Sequence, residues 1–386
     1  MHNESLLEDR WSDVLSAVAA VIDVDETARL RGAFRQARGV PDAASLLRLS
    51  LVYGACGLSL RQTCAWAETA GIARLADTAL LERLSKGSEW LGDIVASLLA
   101  RRVASPGRER WTGRRVRLFD ATTICRPGAD RTTWRLHMGY DLGANRIDAA
   151  VLTDVHGGES LGRFDLRPGD IALADAGYPR PGAFRPVLAA GADLVVRIGW
   201  NALRLLSADD DCLFPLFESL RLMPGVEGEF TVRLDDHDPN LAPLRLRLLV
   251  RRKDAHACEV ARRQVRQRAQ KSGKTPDARS LEAADYILML TTLPKDQFSA
   301  GDGLALYRFR WQIELAFKRL KSLLDLGELP AKRPALAKAW IYAKLILSLL
   351  IEDQTAEVLD SFPCGDRFEP PTGLSMAPDE DADLLF

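Results

Sequence analysis

The 386-residue sequence has few cysteines, and none of them belongs to a metal-binding or redox motif. No two cysteines have the CxxC spacing, and His256 with Cys258 is an isolated couple, so neither a zinc knuckle nor a disulfide framework is predicted. Free thiols in a reduced compartment are the expectation. The six residues are Cys56, Cys64, Cys125, Cys212, Cys258 and Cys364.

Long apolar runs are also missing. The most apolar stretch, AWIYAKLILSLLI at 339–351, is shorter than a membrane span and contains Lys344, which favours a buried helix. The N-terminal stretch, MHNESLLEDRW, is acidic and lacks the basic-then-apolar order of a signal peptide. The sequence therefore predicts a cytoplasmic protein that makes no use of a membrane.

The chain has almost no net charge, at −1, but the charges are unevenly distributed. Residues 352–386 carry ten acids and one arginine, so the rest of the chain is basic. The segment 251–274, RRKDAHACEVARRQVRQRAQKSGK, carries nine cations and two acids. Such a segment suits a polyanion such as DNA, although a solvated helix face explains the same charges equally well.

Residues 1–110 are predicted to be helical, because their apolar residues recur at spacings of three and four. Ser59 and Gln62 have the spacing of a capping box at the start of a helix that should end near Thr69. Two short helices around Gly71 are typical of a helix-turn-helix, and equally of any small helical bundle. Binding of DNA ends by this segment is therefore a hypothesis.

The remaining chain predicts an α/β fold in four parts. Residues 111–198 contain strand patterns such as RRVRLFDATTI and GDIALAD, a hairpin around LGAN, and a helix. Residues 199–295 form a separate β-rich insertion with a basic helix over about 254–272. Helices return over 296–352, and residues 353–386, rich in Pro, Gly and acid, are expected to form a disordered tail.

Two acidic residues stand at predicted strand ends. Asp120 closes VRLFD and Asp175 closes IALAD, where a sheet would fix both backbones. One such Asp is usually a turn or cap residue, and Asp154 and Asp170 compete for the same assignment. Two of them with a helical glutamate, however, supply the oxygen ligands that Mg²⁺ and Mn²⁺ prefer. Two such ions stabilise the attacking and leaving oxygens of a phosphoryl displacement.

The helical glutamate is Glu314 in YRFRWQIELAFKRLK, which is predicted to lie on one continuous helix over about 302–325. At 100° per residue, Tyr307, Arg310, Glu314 and Lys321 would fall within an arc of about 60°. Ion pairing between neighbouring turns explains the glutamate by itself. It does not explain why a hydroxyl, a guanidinium and an ammonium line up with it.

The spacing Tyr-x2-Arg-x3-Glu-x6-Lys resembles the signature of IS4-family DDE transposases, and LFDATTI and ADAGY resemble the two aspartate blocks of that family. The resemblance covers roughly residues 55–350. It implies an RNase H-like catalytic core interrupted by a β-rich insertion. It also implies Asp120, Asp175 and Glu314 as catalytic and metal-binding residues, with two Mg²⁺ or Mn²⁺ ions as cofactors.

The same resemblance implies cut-and-paste DNA transposition in the bacterial nucleoid. Hydrolysis would free one strand, its 3′ hydroxyl would attack the opposite strand to give a hairpin end, and the resolved 3′ ends would join target DNA. The partners would be double-stranded DNA, both terminal inverted repeats and target, and a second copy of the chain in a homodimer assembled on that DNA. Tyr307, Arg310 and Lys321 would hold phosphates near the cleaved end.

Other parts of the chain add to this expectation or depart from it. Four arginines of the basic helix spread around its axis and suit contacts with the DNA backbone. In some family members a tryptophan in the insertion stacks against a flipped base, but neither Trp200 nor Trp311 matches the position of that tryptophan. The acidic tail is a second departure, because it does not resemble the usual C-terminal end of the family. The four arginines are Arg262, Arg263, Arg266 and Arg268.

Two alternative functions stay open. A catalytically decayed transposase would act only as a DNA-binding protein, and an RNase H-type nuclease would cleave DNA without strand transfer. The three carboxylates argue against the first alternative. The phosphate-binding residues around Glu314 argue against the second, because a simple nuclease needs no such clamp.

Overall fold

The structure is a computed structural model that describes residues 9–104, 113–125, 132–223, 225–235, 241–324, 326, 329–330 and 332–361. The chain divides into two compact units. Unit 1 is built from Met1–Arg108, Ala121–Gly158 and Ile313–Pro363. Unit 2 takes its described residues from Glu109–Asp120 and Glu159–Gln312.

Helices fill the described N-terminal part of unit 1. The predicted capping box is confirmed, since Ser59 and Gln62 each bond the backbone N–H of the other. Residues 70–76 join the fourth and fifth helices, a connection longer than the three- or four-residue turn of a helix-turn-helix. The helices are α1 Trp11–Ala19, α2 Val24–Leu30, α3 Ala43–Ala55, α4 Leu60–Thr69, α5 Asp77–Lys86 and α6 Ser88–Ala104.

A long apolar helix, α13 (Pro334–Ser361), packs against α3, α5 and α6 in unit 1. Gly54 of α3 allows a close approach, because a β-carbon there would lie 2.5 Å from the Cβ of Ala343. Among the described residues, Pro334–Ala356 is the one helix long and apolar enough to cross a membrane, and 67% of its most apolar window is buried inside the protein. It has the burial of a core helix.

The C-terminal end of α13 corrects one prediction. A disordered tail was expected from residue 353, but the helix continues to Ser361. Arg102 of α6 is 2% exposed, and it donates to Glu352 Oε2 at 2.8 Å and pairs with Asp353 Oδ1 at 2.7 Å. Asp353, the first acid of the expected tail, therefore neutralises a buried arginine together with its neighbour Glu352. Its remainder, 362–386, lies outside the described residues.

Strands of unit 1 form a hairpin. Strand β2 (Thr132–Asp141) pairs antiparallel with β3 (Arg146–Asp154), and the LGAN turn between them confirms the predicted hairpin. The residues of strand β1 (Val116–Cys125) that follow Asp120 also belong to unit 1. The first part of β1 belongs to unit 2.

Unit 2 contains a large mixed sheet in the order β1-β4-β5-β9-β8-β7-β6. The β1–β4 and β4–β5 pairs are parallel, and all later pairs are antiparallel. The protein is therefore a mixed α/β protein. The strands are β4 Ile171–Ala174, β5 Asp193–Arg197, β6 Leu205–Ser207, β7 Glu227–Leu234, β8 Leu244–Arg252 and β9 Tyr286–Thr291. The helices are α7 Pro181–Ala189, α8 Leu216–Arg221, α9 Ala255–Lys271, α10 Ala278–Ala283 and α11 Ala300–Arg308, before α12 Trp311–Leu324.

The predicted insertion at 199–295 does not stand apart from the strands that precede it. Its last strand, β9, pairs with β5, with Val196 opposite Leu290, and β8, β7 and β6 continue the same sheet. Both Val196 and Leu290 are fully buried. The pairing satisfies the backbone polar groups that β5 would otherwise expose as an edge strand. The predicted domain boundaries themselves stay a prediction.

The continuous helix predicted over about 302–325 is wrong. Helix α11 ends at Arg308 and α12 begins at Trp311. Between them, Arg310 N–H bonds the Tyr307 carbonyl and Gln312 N–H bonds the Phe309 carbonyl, both at 3.0 Å, which is the tighter spacing of a 3-10 turn. The aromatic residues of this stretch are only moderate helix formers. The break buries Tyr307 and Arg310, which are 2% and 9% exposed.

Candidate active site

The two predicted aspartates lie side by side in unit 2. Strands β1 and β4 run parallel, and their last paired residues are Phe119 and Ala174. The next position on each chain is therefore Asp120 and Asp175. Neighbouring strands are about 4.8 Å apart, and residues at matching positions of parallel strands point to the same face. The sheet register therefore sets the backbones of Asp120 and Asp175 next to each other, directly after the last paired residues of the two strands.

The position of Asp120 differs in one respect from the prediction. It does not close its strand, because β1 continues to Cys125. What ends at Phe119 is the pairing of β1 with β4. Asp120 thus stands where β1 leaves one neighbouring strand, and a continuous strand holds its backbone on both sides.

A third residue extends this row. Val196 of β5 pairs with Ala174 of β4, so Arg197 stands level with Asp175 on the next parallel strand. Sequence reasoning missed Arg197. Its signal was an arginine that closes the apolar strand DLVVR, in the same way that Asp175 closes IALAD. Asp120, Asp175 and Arg197 therefore form one row across three strands.

Tyr307 and Arg310 lie against this row. The Nη1 of Arg310 is 3.9 Å from Asp120 Oδ2, and the guanidinium carbon is 5.8 Å from the centre of the Tyr307 ring. Burial raises the pKa of Tyr307 to about 12; the charge of Asp175 acts in the same direction, and Arg310 and Arg197 oppose it. The phenol is therefore protonated at neutral pH and can donate a hydrogen bond.

The turn after β4 orients Asp175. The N–H of Gly177 donates to Asp175 Oδ1 at 2.8 Å, and the N–H of Tyr178 donates to the Asp175 carbonyl at 3.2 Å. The Tyr178 ring is fully buried and anchors the end of this turn. The sequence ADAGY therefore fixes one carboxylate oxygen of Asp175 by a local hydrogen bond.

The other two predicted site residues lie on α12 in unit 1. This helix packs down through Ile313, Ala316 and Leu320, which are at most 3% exposed. Glu314 in the first turn is half-buried, and Lys321 in the last turn is exposed. Because Glu314 and Lys321 are seven residues apart on one helix, their directions around the helix axis differ by about 20°. Their convergence with the aspartates of unit 2 stays a prediction.

The carboxylates suit a divalent cation by their chemistry. Mg²⁺ and Mn²⁺ prefer hard oxygen ligands, and Asp120 on β1 and Asp175 directly after β4 carry such ligands. Within the described ranges, no three His, Cys, Asp or Glu side chains are grouped closely enough to hold a metal ion. Mg²⁺ does not require such a cage, because it commonly uses one or two carboxylates together with waters and substrate phosphates.

Comparison with known proteins gives the family. The family model of the transposase DDE domain matches residues 111–350. The putative transposase InsL of insertion sequence element IS186A from Escherichia coli strain K12 is 41% identical over 359 residues, which cover 92% of this chain and 96% of that protein. The chain belongs to the IS4 family of DDE transposases. The transposase of insertion sequence element IS421 from Escherichia coli is likewise 41% identical over 360 residues, with the same coverage.

The predicted family and its function are thereby confirmed: the protein is a DNA transposase, an enzyme of the polynucleotidyl transferase type. Its structure is also similar to the cryo-EM structure of the piggyBac transposase synaptic complex with hairpin DNA. The TM-score is 0.42 at 12% identity, over 93% of this chain and 68% of that one. A likeness of that size does not define the fold.

The basic helix of the transposase, α9, presents three of its four predicted arginines to solvent. It packs through Ala257 and Ala261, which are buried. Arg262 is held by a forked ion pair with Asp285, in which Nε donates to Oδ1 at 2.7 Å. Its pKa is raised, chiefly by its hydrogen bond to Asp285. The exposed residues are Arg263, Arg266 and Arg268.

A cavity of about 460 Å³ opens beside the turn that carries Asp175 in this transposase. Its wall includes Trp200, whose ring N–H donates to Ser280 Oγ at 3.2 Å. Aromatic surface next to cations is the combination that binds unpaired nucleotides in other proteins. The other aromatic and cationic residues of the wall are Tyr286, Arg197, Lys253 and Arg268.

Proposed function

We propose that this transposase performs cut-and-paste transposition of an insertion sequence with divalent cations, Mg²⁺ or Mn²⁺, held by Asp120, Asp175 and Glu314. The observation that supports this most strongly is the register of two neighbouring parallel strands, whose last paired residues directly precede Asp120 and Asp175. Those strands would belong to an RNase H-like core. Two bound cations would neutralise charge on the scissile phosphate and activate the attacking oxygen.

The DNA chemistry would alternate between hydrolysis and transesterification. A water molecule attacks the phosphate at the transposon end and releases a 3′ hydroxyl. That hydroxyl attacks the opposite strand, so that one phosphodiester bond forms as another breaks and the end becomes a hairpin. Hydrolysis reopens the hairpin, and the 3′ ends then join target DNA. Each strand-transfer step conserves the number of phosphodiester bonds and needs no external energy source.

The cations of the chain would hold the DNA. Arg310 lies beside Asp120. The protonated hydroxyl of Tyr307, next to Arg310, would donate a hydrogen bond to a phosphate oxygen of the DNA. Lys321 on α12 would bind another phosphate. The exposed arginines of α9 would contact the DNA backbone without reading bases. Two copies of the chain would assemble on a pair of terminal inverted repeats within the bacterial nucleoid, where target DNA is present.

The test is an assay on the inverted-repeat DNA that flanks the gene. The full chain with Mg²⁺ should nick this DNA and convert it to hairpins, and Asp120→Asn and Asp175→Asn should abolish both products. Asp154→Asn, which removes an exposed carboxylate at the end of β3, is the matched control and should retain activity. Binding without nicking by the unmodified chain would favour the decayed transposase. Nicking without hairpins would contradict the hairpin step.

A further inference from the structure

The carboxylate of Glu159 lies against the turn that carries Asp175. A β-carbon added to Gly177 would overlap Glu159 Oε2 and would stand 3.0 Å from the Glu159 carboxyl carbon and 3.1 Å from Asp175 Oδ1. The two carboxylates therefore flank a single point. Both residues belong to unit 2, where Glu159 precedes the 3-10 turn Leu161–Arg163.

The backbone does not require glycine at this position. The φ angle of Gly177 lies outside the left-handed region. Its N–H donates to Asp175 Oδ1, which any residue other than proline could do. The constraint is spatial, because a side chain at residue 177 would occupy the place of the Glu159 carboxylate. Glycine in ADAGY therefore keeps room for Glu159 beside Asp175.

Each of the two carboxylates offers the hard oxygen ligands that a divalent cation prefers, and both lie beside the Gly177 backbone. Mg²⁺ is commonly held by one or two carboxylates, with waters and substrate phosphates completing its shell. The pair Asp175 and Glu159 supplies that number of ligands without a third protein group.

We propose that Glu159 is a further active-site residue, which shares one divalent cation with Asp175, and that Gly177 is needed because Glu159 occupies this place. The inference rests on the proposed function, since it takes Asp175 as a metal ligand. A structural role for Glu159, limited to support of the turn, makes a different prediction. It would affect the melting temperature and leave the affinity for the cation unchanged.

The first experiment measures Mn²⁺ binding by isothermal titration calorimetry to the full chain on uncleaved inverted-repeat DNA. Glu159→Gln and Asp175→Asn should each weaken Mn²⁺ binding about tenfold or more, the range found when groups that tune a metal site are removed. Glu218→Gln, an exposed glutamate of α8, is the matched control for loss of one charge and should leave the affinity unchanged.

A second experiment keeps the charge and moves the carboxylate. Gly177→Ala should displace Glu159 and weaken Mn²⁺ binding about as much as Glu159→Gln does. In a Glu159→Ala background, the same Gly177→Ala change should add little, because the space is already empty. Equal, additive losses in both backgrounds would overturn the coupling between the two residues. This arm decides the question even where Glu159→Gln does not fold.

The outcomes separate this inference from the proposed function. A loss of Mn²⁺ affinity in Asp175→Asn with wild-type affinity in Glu159→Gln contradicts the role of Glu159 alone. Wild-type affinity in Asp175→Asn contradicts the metal assignment itself, and the role of Glu159 fails with it. A change confined to the melting temperature of Glu159→Gln supports the turn-supporting role and overturns the shared cation.

Discussion

A buried ion pair holds the register that brings the two aspartates together. Arg115 precedes β1 and Asp170 precedes β4, and the guanidinium donates to both carboxylate oxygens at 2.9 and 2.6 Å. The two residues are 5% and 3% exposed. The backbone N–H of Ile171 also donates to the Arg115 carbonyl at 2.8 Å, directly at the start of the parallel pairing.

Removal of one partner should be costly. Asp170→Asn keeps the size of the side chain but leaves the guanidinium of Arg115 charged and buried, which typically costs about 3–5 kcal/mol. Domains are stable by about 5–15 kcal/mol, so this is a large share of the total. Replacement of both partners by apolar residues, Arg115→Met with Asp170→Leu, should recover most of the loss, because it removes the unpaired charge.

Urea unfolding of the full chain, followed by circular dichroism, measures these differences. The matched control is Glu282→Gln, which breaks the ion pair between Arg221 and Glu282. That pair is also forked, with both hydrogen bonds at 2.8 Å, but it is exposed to solvent. The control should shift the unfolding midpoint little. A loss in Asp170→Asn no greater than in the control would refute the reasoning, as would a double variant no more stable than the single one.

Three further predictions concern other parts of the molecule. Replacement of Arg263, Arg266 and Arg268 by Gln should weaken binding to any DNA sequence. It should also flatten the plot of log affinity against log salt concentration, because each phosphate contact contributes about 0.9 to that slope. An unchanged slope would contradict the proposed contacts of these arginines with the DNA backbone. Truncation after Ser361 should leave the melting temperature nearly unchanged, and a large decrease would show that the acidic segment is docked. Burial raises the pKa of Glu352, and the charge of Arg102 opposes that shift. Protonation of Glu352 therefore stabilises the folded protein below about pH 4.3, the pKa of glutamate in an unfolded chain. This stabilisation is lost as the pH rises through the pKa that Glu352 has in the folded protein. Unfolding curves at several pH values should show that the free energy of unfolding of the wild type decreases, relative to that of Glu352→Gln, over this pH range. A difference between the two proteins that does not change with pH would contradict this.

Local patterns in the sequence predicted the strand and helix that carry parts of the candidate site. The apolar run IALA ends at an aspartate, and β4 ends one residue before Asp175. The basic helix was predicted over about 254–272 and is found at Ala255–Lys271, with Asp254 as its cap. Such features depend on residues close together in the chain, so periodicity and capping are enough to find them.

Features that depend on distant residues could not be predicted. The common level of Asp175 and Arg197 follows from strand register, which no local pattern encodes. The place of Glu159 beside Gly177 arises from a loop that folds back onto the turn, across 18 positions of sequence. The break at Phe309 and Arg310 overrides a helical pattern, because it buries two polar side chains in unit 2 that a continuous helix would have aligned with Glu314.

The central claim is that Glu314 acts through a metal ion and Lys321 through phosphate. The most direct test compares Glu314→Gln, Lys321→Ala and the control Lys318→Ala, an exposed lysine of the same helix, for binding and nicking of inverted-repeat DNA in Mg²⁺. Glu314→Gln should nick DNA more slowly by orders of magnitude and should keep DNA binding, because the lysine and arginine side chains that bind DNA remain. Lys321→Ala should weaken end binding and recover partly at higher protein concentration, and Lys318→Ala should behave as wild type. Nicking at near wild-type rates by Glu314→Gln would contradict the account.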